Sequence, residues 1–227
     1  MTKPFLIVIV GPTASGKTEL SIEVAKKFNG EIISGDSMQV YQGMDIGTAK
    51  VTTEEMEGIP HYMIDILPPD ASFSAYEFKT RAEKYIKDIT GRGKVPIIAG
   101  GTGLYIQSLL YNYAFEDESI SDDKMKQVKL KLTELEQLNN NKLHEYLASF
   151  DKESAKDIHP NNRKRVFRAI EYYLKTKKLL SSRKKVQQFT ENYDTLLIGI
   201  EMSRETLYLR INKRVDIMLG HGLFNEV

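Results

Sequence analysis

Six consecutive apolar residues, Phe5 to Val10, give way to a polar loop, and Leu20, Val24 and Phe28 then recur at helical spacing. An unbroken apolar run of that kind suits a parallel strand buried on both faces. The spacing after it suits an amphipathic helix stopped by Gly30. The alternation continues along the chain. Residues 31–34 read as a second short strand, 61–67 (HYMIDIL) as a third and 95–101 (VPIIAGG) as another. Residues 74–90 begin with Ser74 and Glu77 in a capping-box arrangement and read as a helix that stops at Gly91-Arg92-Gly93. Residues 103–111 start a further helix. Strand, glycine-rich turn and helix in repetition predict an α/β fold, an open and mostly parallel doubly wound sheet.

From about residue 114 the strand pattern stops. Helical patterns occupy 125–138, 142–150 and 166–180, separated by Asn139 to Asn141 and by His159-Pro160-Asn161-Asn162. A strand returns at 195–202, followed by a helix starting at Ser203. The expected organisation is a core of 1–113 and 193–227 interrupted by an all-helical insertion domain, 114–192. Two consecutive domains are the other arrangement, disfavoured by the returning strand. The last residues, GHGLFNEV, begin a helix and stop, so the C-terminal part of the core is expected to be missing.

Composition narrows the chemistry. With 227 residues, 41% hydrophobic and 28% charged, the chain can bury a substantial core. No apolar run approaches the ~20 residues that cross a bilayer, and the first residues have no signal-peptide layout. A cytoplasmic setting without membrane association is expected. The absence of cysteine excludes disulfides, thiolate metal sites and a cysteine nucleophile, and four scattered histidines make zinc unexpected. The net charge of +1 hides a local asymmetry. Between Arg163 and Lys185 lie Arg163, Lys164, Arg165, Arg168, Lys175, Lys177, Lys178, Arg183, Lys184 and Lys185, with Glu171 the one acid among them. Residues 116–123, EDESISDD, are strongly acidic. A basic run is by default a solvated helix face.

The loop after the first strand carries the clearest chemistry. Gly11, Pro12, Thr13, Ala14, Ser15, Gly16, Lys17 and Thr18 form a P-loop, the nucleotide-binding signature whose ordinary occupant is ATP. Its amides and the helix that follows are suited to phosphate oxygens, Lys17 to a terminal phosphate and Thr18 to magnesium. The fold expected is therefore P-loop NTPase-like. A hydrolase or kinase usually adds an apolar strand ending in a magnesium-binding Asp. The best-formed later strand here ends instead in Gly100-Gly101-Thr102. Residues 35–50, GDSMQVYQGMDIGTAK, are dense in polar groups: Asp36, Ser37, Gln39, Tyr41, Gln42, Asp45, Thr48 and Lys50. In an open α/β sheet ligands sit beyond the carboxyl ends of the strands, so Asp36 would face the P-loop. There it could hold magnesium, take a proton from a substrate, or simply cap a helix.

Five segments in order, GPTASGKT, ISGDSMQVYQGMDIGTAK, GGTGLYIQSLL, HPNNRKRVFRAIE and LRINKRVDIMLGHGL, resemble the tRNA dimethylallyltransferase family, also called tRNA isopentenyltransferases. The resemblance runs from residue 5 to the end of the chain. It implies alkyl transfer: N6 of the adenine 3′ of the anticodon attacks C1 of dimethylallyl diphosphate, and diphosphate leaves. It further implies Asp36 as general base and Thr102 as a hydroxyl toward the diphosphate. Lys17, the residues from Gly11 to Thr18 and one of Arg210 and Arg214 would bind diphosphate. Magnesium would sit at Thr18. For tRNA it implies Asp36, Ser37, Met38, Gln39 and Thr102 at the flipped adenine. Lys164, Arg165, Val166, Phe167 and Arg168 would then meet the anticodon stem-loop. Lys164 stands where some members carry glutamine, and members continue beyond GLFNEV. A monomer is expected. The other readings are an adenine-nucleotide isopentenyltransferase, which would need no basic insertion, a P-loop small-molecule kinase, and a non-catalytic nucleotide-dependent RNA-binding module.

Overall fold

The computed structural model describes residues 3–111, 121–184 and 189–227. The acidic residues 116–120 and Lys185 lie outside the described residues. The chain divides into two compact units, Met1–Tyr113 with Phe189–Val227, and Ala114–Gln188.

The first unit is α/β. Its elements are β1 (Phe5–Val10), α1 (Lys17–Phe28), β2 (Gly30–Ser34), α2 (Thr53–Met56), β3 (His61–Tyr62), α3 (Ala75–Gly91), β4 (Val95–Gly100) and α4 (Gly103–Leu110). The second unit carries α5 (Asp122–Glu136), α6 (Asn140–Ala148), α7 (Lys152–Asp157) and α8 (Arg163–Thr176). The chain then returns to the first unit with β5 (Asp194–Gly199), α9 (Arg204–Gly220) and α10 (Leu223–Glu226). The five strands form one sheet in the order β3-β2-β4-β1-β5, and every pairing is parallel.

The register of this sheet positions the site. Val10 pairs with Gly100, and Ser34 pairs with Ala99. The P-loop, Gly35-Asp36 and Gly101-Thr102 therefore leave the sheet side by side, at the carboxyl edge where α/β proteins bind ligands. Apolar layers lie on both faces. Leu6, Val8, Ile33 and Ile98 pack with Phe78, Ile86 and Leu109 on one, and Ile7, Ile9, Ile32 and Ile97 pack with Ile22 and Ala25 on the other. This explains why β1 reads as a continuous apolar run.

Three elements depart from expectation. The strand expected over 61–67 forms as a sheet strand only at His61–Tyr62, with an isolated parallel bridge from Leu67 to Tyr41, because Met63 and Asp65 adopt φ of 66° and 54°, a left-handed backbone that interrupts the pleat. The helix expected over 166–180 starts at Arg163, where the Asn162 side chain accepts from the Arg165 amide. It ends at Thr176 because Lys177 turns to φ 61°. Helix α7 was not expected. It is capped by Asp151, a buried carboxylate that accepts from the Ser154 and Ser181 amides. The capping box of Ser74 and Glu77 and the start after Ser203 agree with expectation.

Away from the carboxyl edge, Glu31 is 3% exposed and meets Arg92, Lys94 (2.7 Å) and the Tyr62 hydroxyl (2.6 Å). Burial alone would raise its pKa, but the hydrogen bonds of Lys94, Tyr62 and Arg92 win and hold it below the ordinary value. A folded-state pKa below the unfolded one contributes stability above the unfolded value, lost as pH falls through the folded one. Glu31→Gln should therefore cost about 1.5–3 kcal/mol near neutral pH, the range for hydrogen bonds to a charged group. Urea midpoints measured down to below pH 4 should show the penalty shrinking. A pH-independent penalty would mean that lost packing, not charge, is responsible.

Candidate active site

The P-loop takes its shape from two left-handed residues, Ala14 (φ 62°) and Gly16 (φ 88°), the latter preceding α1. Lys17 Nζ donates to the Pro12 carbonyl at 2.6 Å and so bends back over the loop. Burial lowers its pKa. The Asp36 carboxylate opposes that shift, and Arg214 adds to it, so all three charges share one neighbourhood. The Ser15 hydroxyl is buried inside the loop without a hydrogen-bond partner, whereas Thr18 is exposed.

Gly35-Asp36 and Gly101-Thr102 are clasped. The Gly35 amide donates to Ala99 O (2.8 Å), and the Thr102 amide donates to Gly35 O (3.3 Å). The backbones approach so closely that a Cβ on Gly100 would lie 2.5 Å from Gly35 Cα and closer still to its carbonyl. Thr102 Oγ accepts from the Ser37 amide at 3.0 Å, which leaves its proton free to point at a ligand. Asp36 Oδ1 accepts from the Met38 and Gln39 amides (2.8 and 3.4 Å), an Asx turn and not a helix cap. Its second oxygen, Oδ2, has no hydrogen bond among the described residues. Tyr105, buried next door on α4, has its pKa pushed up to about 12, first by burial and then by Tyr41 and Asp36. It remains a neutral wall.

Two of the three arginines of α9, Arg210 and Arg214, turn toward this cradle. Arg210 Nη1 reaches the Ala14 carbonyl at 3.5 Å, and Arg214 Nη2 donates to the Thr48 carbonyl at 3.0 Å. Neither forms an ion pair among the described residues. Spacing could not choose between the two arginines; in the structure Arg210 reaches the P-loop and Arg214 the segment that follows Asp36.

Residues 44–50 close the other side. Lys50 is buried and its ammonium meets Asp45 (2.5 Å), Asp65 and the Tyr41 carbonyl (2.8 Å). Its pKa is raised: burial lowers it, but the bonds to Asp45 and Asp65 prevail. Gln39 Nε2 donates to the carbonyl of Ala49 at 3.3 Å, with Thr48 O at 3.5 Å. Lys50 is visible in the sequence only as one polar residue among many. Its role depends on Asp65, fifteen residues away, whose backbone is left-handed.

In the helical unit, Lys164, Arg165 and Arg168 are exposed, and Phe167 is half-buried. Val166 is fully buried in a cluster with Leu143, Leu147 and Ile170, so its side chain holds the helix in place. Arg163 is occupied too. It donates to the carbonyls of Leu138 (2.8 Å) and Glu136 (2.7 Å) and its guanidinium lies 5.0 Å from the Phe167 ring. Glu136, Arg163, Lys164, Phe167, Arg168 and Glu171 line an open groove of about 770 Å³.

No three His, Asp or Glu side chains gather as a cation site among the described residues. No helix of the described residues is long and apolar enough to cross a membrane.

Comparison with known proteins matches residues 39–227 to the IPP transferase family. The whole chain is 97% identical to a tRNA dimethylallyltransferase of Staphylococcus epidermidis, of which it covers 68%, and 77% identical to that of Staphylococcus haemolyticus, again covering 68%. Among solved structures, a tRNA delta(2)-isopentenylpyrophosphate transferase from S. epidermidis is 96% identical over 99% of this chain and 72% of its own, with a TM-score of 0.65. A eukaryotic dimethylallyltransferase described as acting on tRNA is 36% identical over 99% of this chain and 55% of its own, with a TM-score of 0.82.

Proposed function

Because this chain belongs to the IPP transferase family, we propose that it transfers a dimethylallyl group from dimethylallyl diphosphate to tRNA. The acceptor in this reading is N6 of the adenine 3′ of the anticodon. The observation that carries the reading is the joint placement of Lys17, Asp36, Thr102, Arg210 and Arg214 at one carboxyl edge of the sheet, with Gly-Gly-Thr where a kinase would carry a magnesium-binding Asp.

The bond from C1 to N6 forms as the bond from C1 to the diphosphate oxygen breaks, and that electron pair leaves with diphosphate. Lys17, the P-loop amides and the two arginines oppose the growing negative charge, held in place before reaction. The Thr102 proton is available to a diphosphate oxygen. Asp36, with Oδ1 anchored by two amides, offers Oδ2 to the N6 proton, which makes the exocyclic amine a competent nucleophile. Ser37 and Gln39 flank the same edge and suit recognition of the flipped base. The exposed Thr18 hydroxyl would hold magnesium. No carboxylate cluster is present among the described residues, so Thr18 would be the chain's own contribution to the ion. When bound it would withdraw charge from the leaving group.

The test is transfer of label from dimethylallyl diphosphate, in the presence of magnesium, to unmodified tRNA. Label on AMP in preference to tRNA would replace this reading with the nucleotide prenyltransferase, and ATP turnover without prenyl transfer would replace it with the kinase. The basic helix gives a separate prediction. Arg165 and Arg168 are exposed and free of ion pairs among the described residues. Neutralising both should weaken tRNA binding across sequences and reduce the slope of log K against log[salt] by about 2. An unchanged slope would return α8 to a solvated face.

A further inference from the structure

We propose that Glu226, on α10, is a positioning residue for the transfer reaction, acting by holding the backbone of residues 45–47. The proposal rests on the transferase reading above but concerns a residue that makes no contact with the reacting groups. Glu226 Oε2 accepts from the amides of Asp45 (2.8 Å) and Ile46 (2.6 Å), and Oε1 accepts from the amide of Gly47 (2.8 Å). Three successive amides converging on one carboxylate form an anion nest filled by a side chain nearly 180 residues away. The close approach is shaped on both partners. A Cβ on Gly47 would lie 3.2 Å from Leu223 Cδ1 and 3.4 Å from Glu226 Oε1, so a bare backbone lets α10 settle there.

Gripping this segment matters because of what its next two carbonyls do. Thr48 O accepts from Arg214, and Gln39 spans Thr48 O and Ala49 O. One backbone stretch thus sets the direction of a diphosphate-side arginine and of the side chain beside the general base. On its inner side it is tied by Lys50 to Asp45 and Asp65. Glu226 supplies the outer tie. Without it, residues 45–47 keep their local bonds, Lys50 N to Asp45 O (2.9 Å) and Thr48 Oγ to Met44 O (2.6 Å), but lose their direct tie to α10. Misplacing reacting groups by about 1 Å can cost on the order of 100-fold in rate.

The experiment compares the full-length protein with Glu226→Gln and Glu226→Asp. Glutamine keeps one acceptor but turns an NH₂ toward an amide, and aspartate keeps the charge but draws it back by one methylene. Hydrogen exchange of the peptide spanning 44–50 is read alongside single-turnover transfer and tRNA affinity. The expected result for Glu226→Gln is faster exchange at 45–47, a transfer rate lower by about 10- to 100-fold, and tRNA affinity nearly unchanged, since phosphate contacts carry most of it. Aspartate should recover part of both the protection and the rate. Unchanged exchange, or faster exchange with an unchanged rate in either variant, would overturn the proposal. If glutamine prevents folding, the aspartate variant decides by the same two readouts. Absence of transfer in the unmodified protein would instead refute the transferase reading, and the exchange comparison would still judge the clamp.

Discussion

Replacing Asp36 by asparagine should lower prenyl transfer to tRNA by about 10²- to 10⁴-fold, the range that general-base catalysis contributes, while tRNA binding stays largely intact. Asparagine is the informative substitution. Its Oδ1 still accepts from the Met38 and Gln39 amides, so the turn that shapes the acceptor edge survives. What is lost is the second carboxylate oxygen, the one proposed to take the N6 proton. Asp36→Ala should be at least as slow, because the turn goes with the carboxylate. Rapid-quench transfer at saturating substrates, with tRNA affinity measured separately, reads both. An asparagine variant that transfers at the native rate, or one that binds tRNA poorly yet transfers normally when saturated, would remove Asp36 from its role.

Gly100→Ala should cost about 3 kcal/mol or more in stability, the upper end of overpacking, because the added methyl meets backbone and not a movable side chain. The clash falls between β2 and β4 at the clasp that aligns Asp36 with Thr102. Relief requires the Gly35 and Gly100 backbones to part, which moves Asp36 away from the Thr102 hydroxyl. Any folded fraction should therefore be slow as well as unstable. Chemical denaturation and transfer by the native fraction check the two halves of the prediction. A stability change within about 0.5 kcal/mol, typical of neutral surface sites, would show that the approach is looser than described. Gly101 is a useful contrast, since a Cβ there would sit 3.5 Å from Gly11 O in ordinary contact.

How much was legible beforehand depends on how local each feature is. Helix α3 and its capping box, and the start of α9 at Ser203, rest on contacts within four residues, and the sequence carries all of them. The strand expected over 61–67 is shorter than its apolar run for the opposite reason. Its apolar residues are right for a strand, but Met63 and Asp65 take left-handed backbones to bring Asp65 against Lys50. Val166 shows the same limit at a site. Inside a basic run it resembles its neighbours, and only packing against Leu143 and Leu147 removes it from the surface.

The sequence by itself determined the α/β class, the P-loop, the helical character of the middle segment and the identity of Asp36 and Thr102 as the groups to examine. Each is a matter of residue type at short spacing: glycines that free amides, apolar periods that match a strand or helix, a polar run after a strand. The tertiary structure alone decided that Arg210 reaches the P-loop and Arg214 the Thr48 carbonyl, that Lys50 is buried between two carboxylates, and that Glu226 grips residues 45–47. Those relations join groups up to 196 residues apart in the chain. Charge and hydrogen-bonding capacity are printed in a residue's identity, but which partner satisfies them is set by the register of the parallel sheet and the path of the helices across its edge.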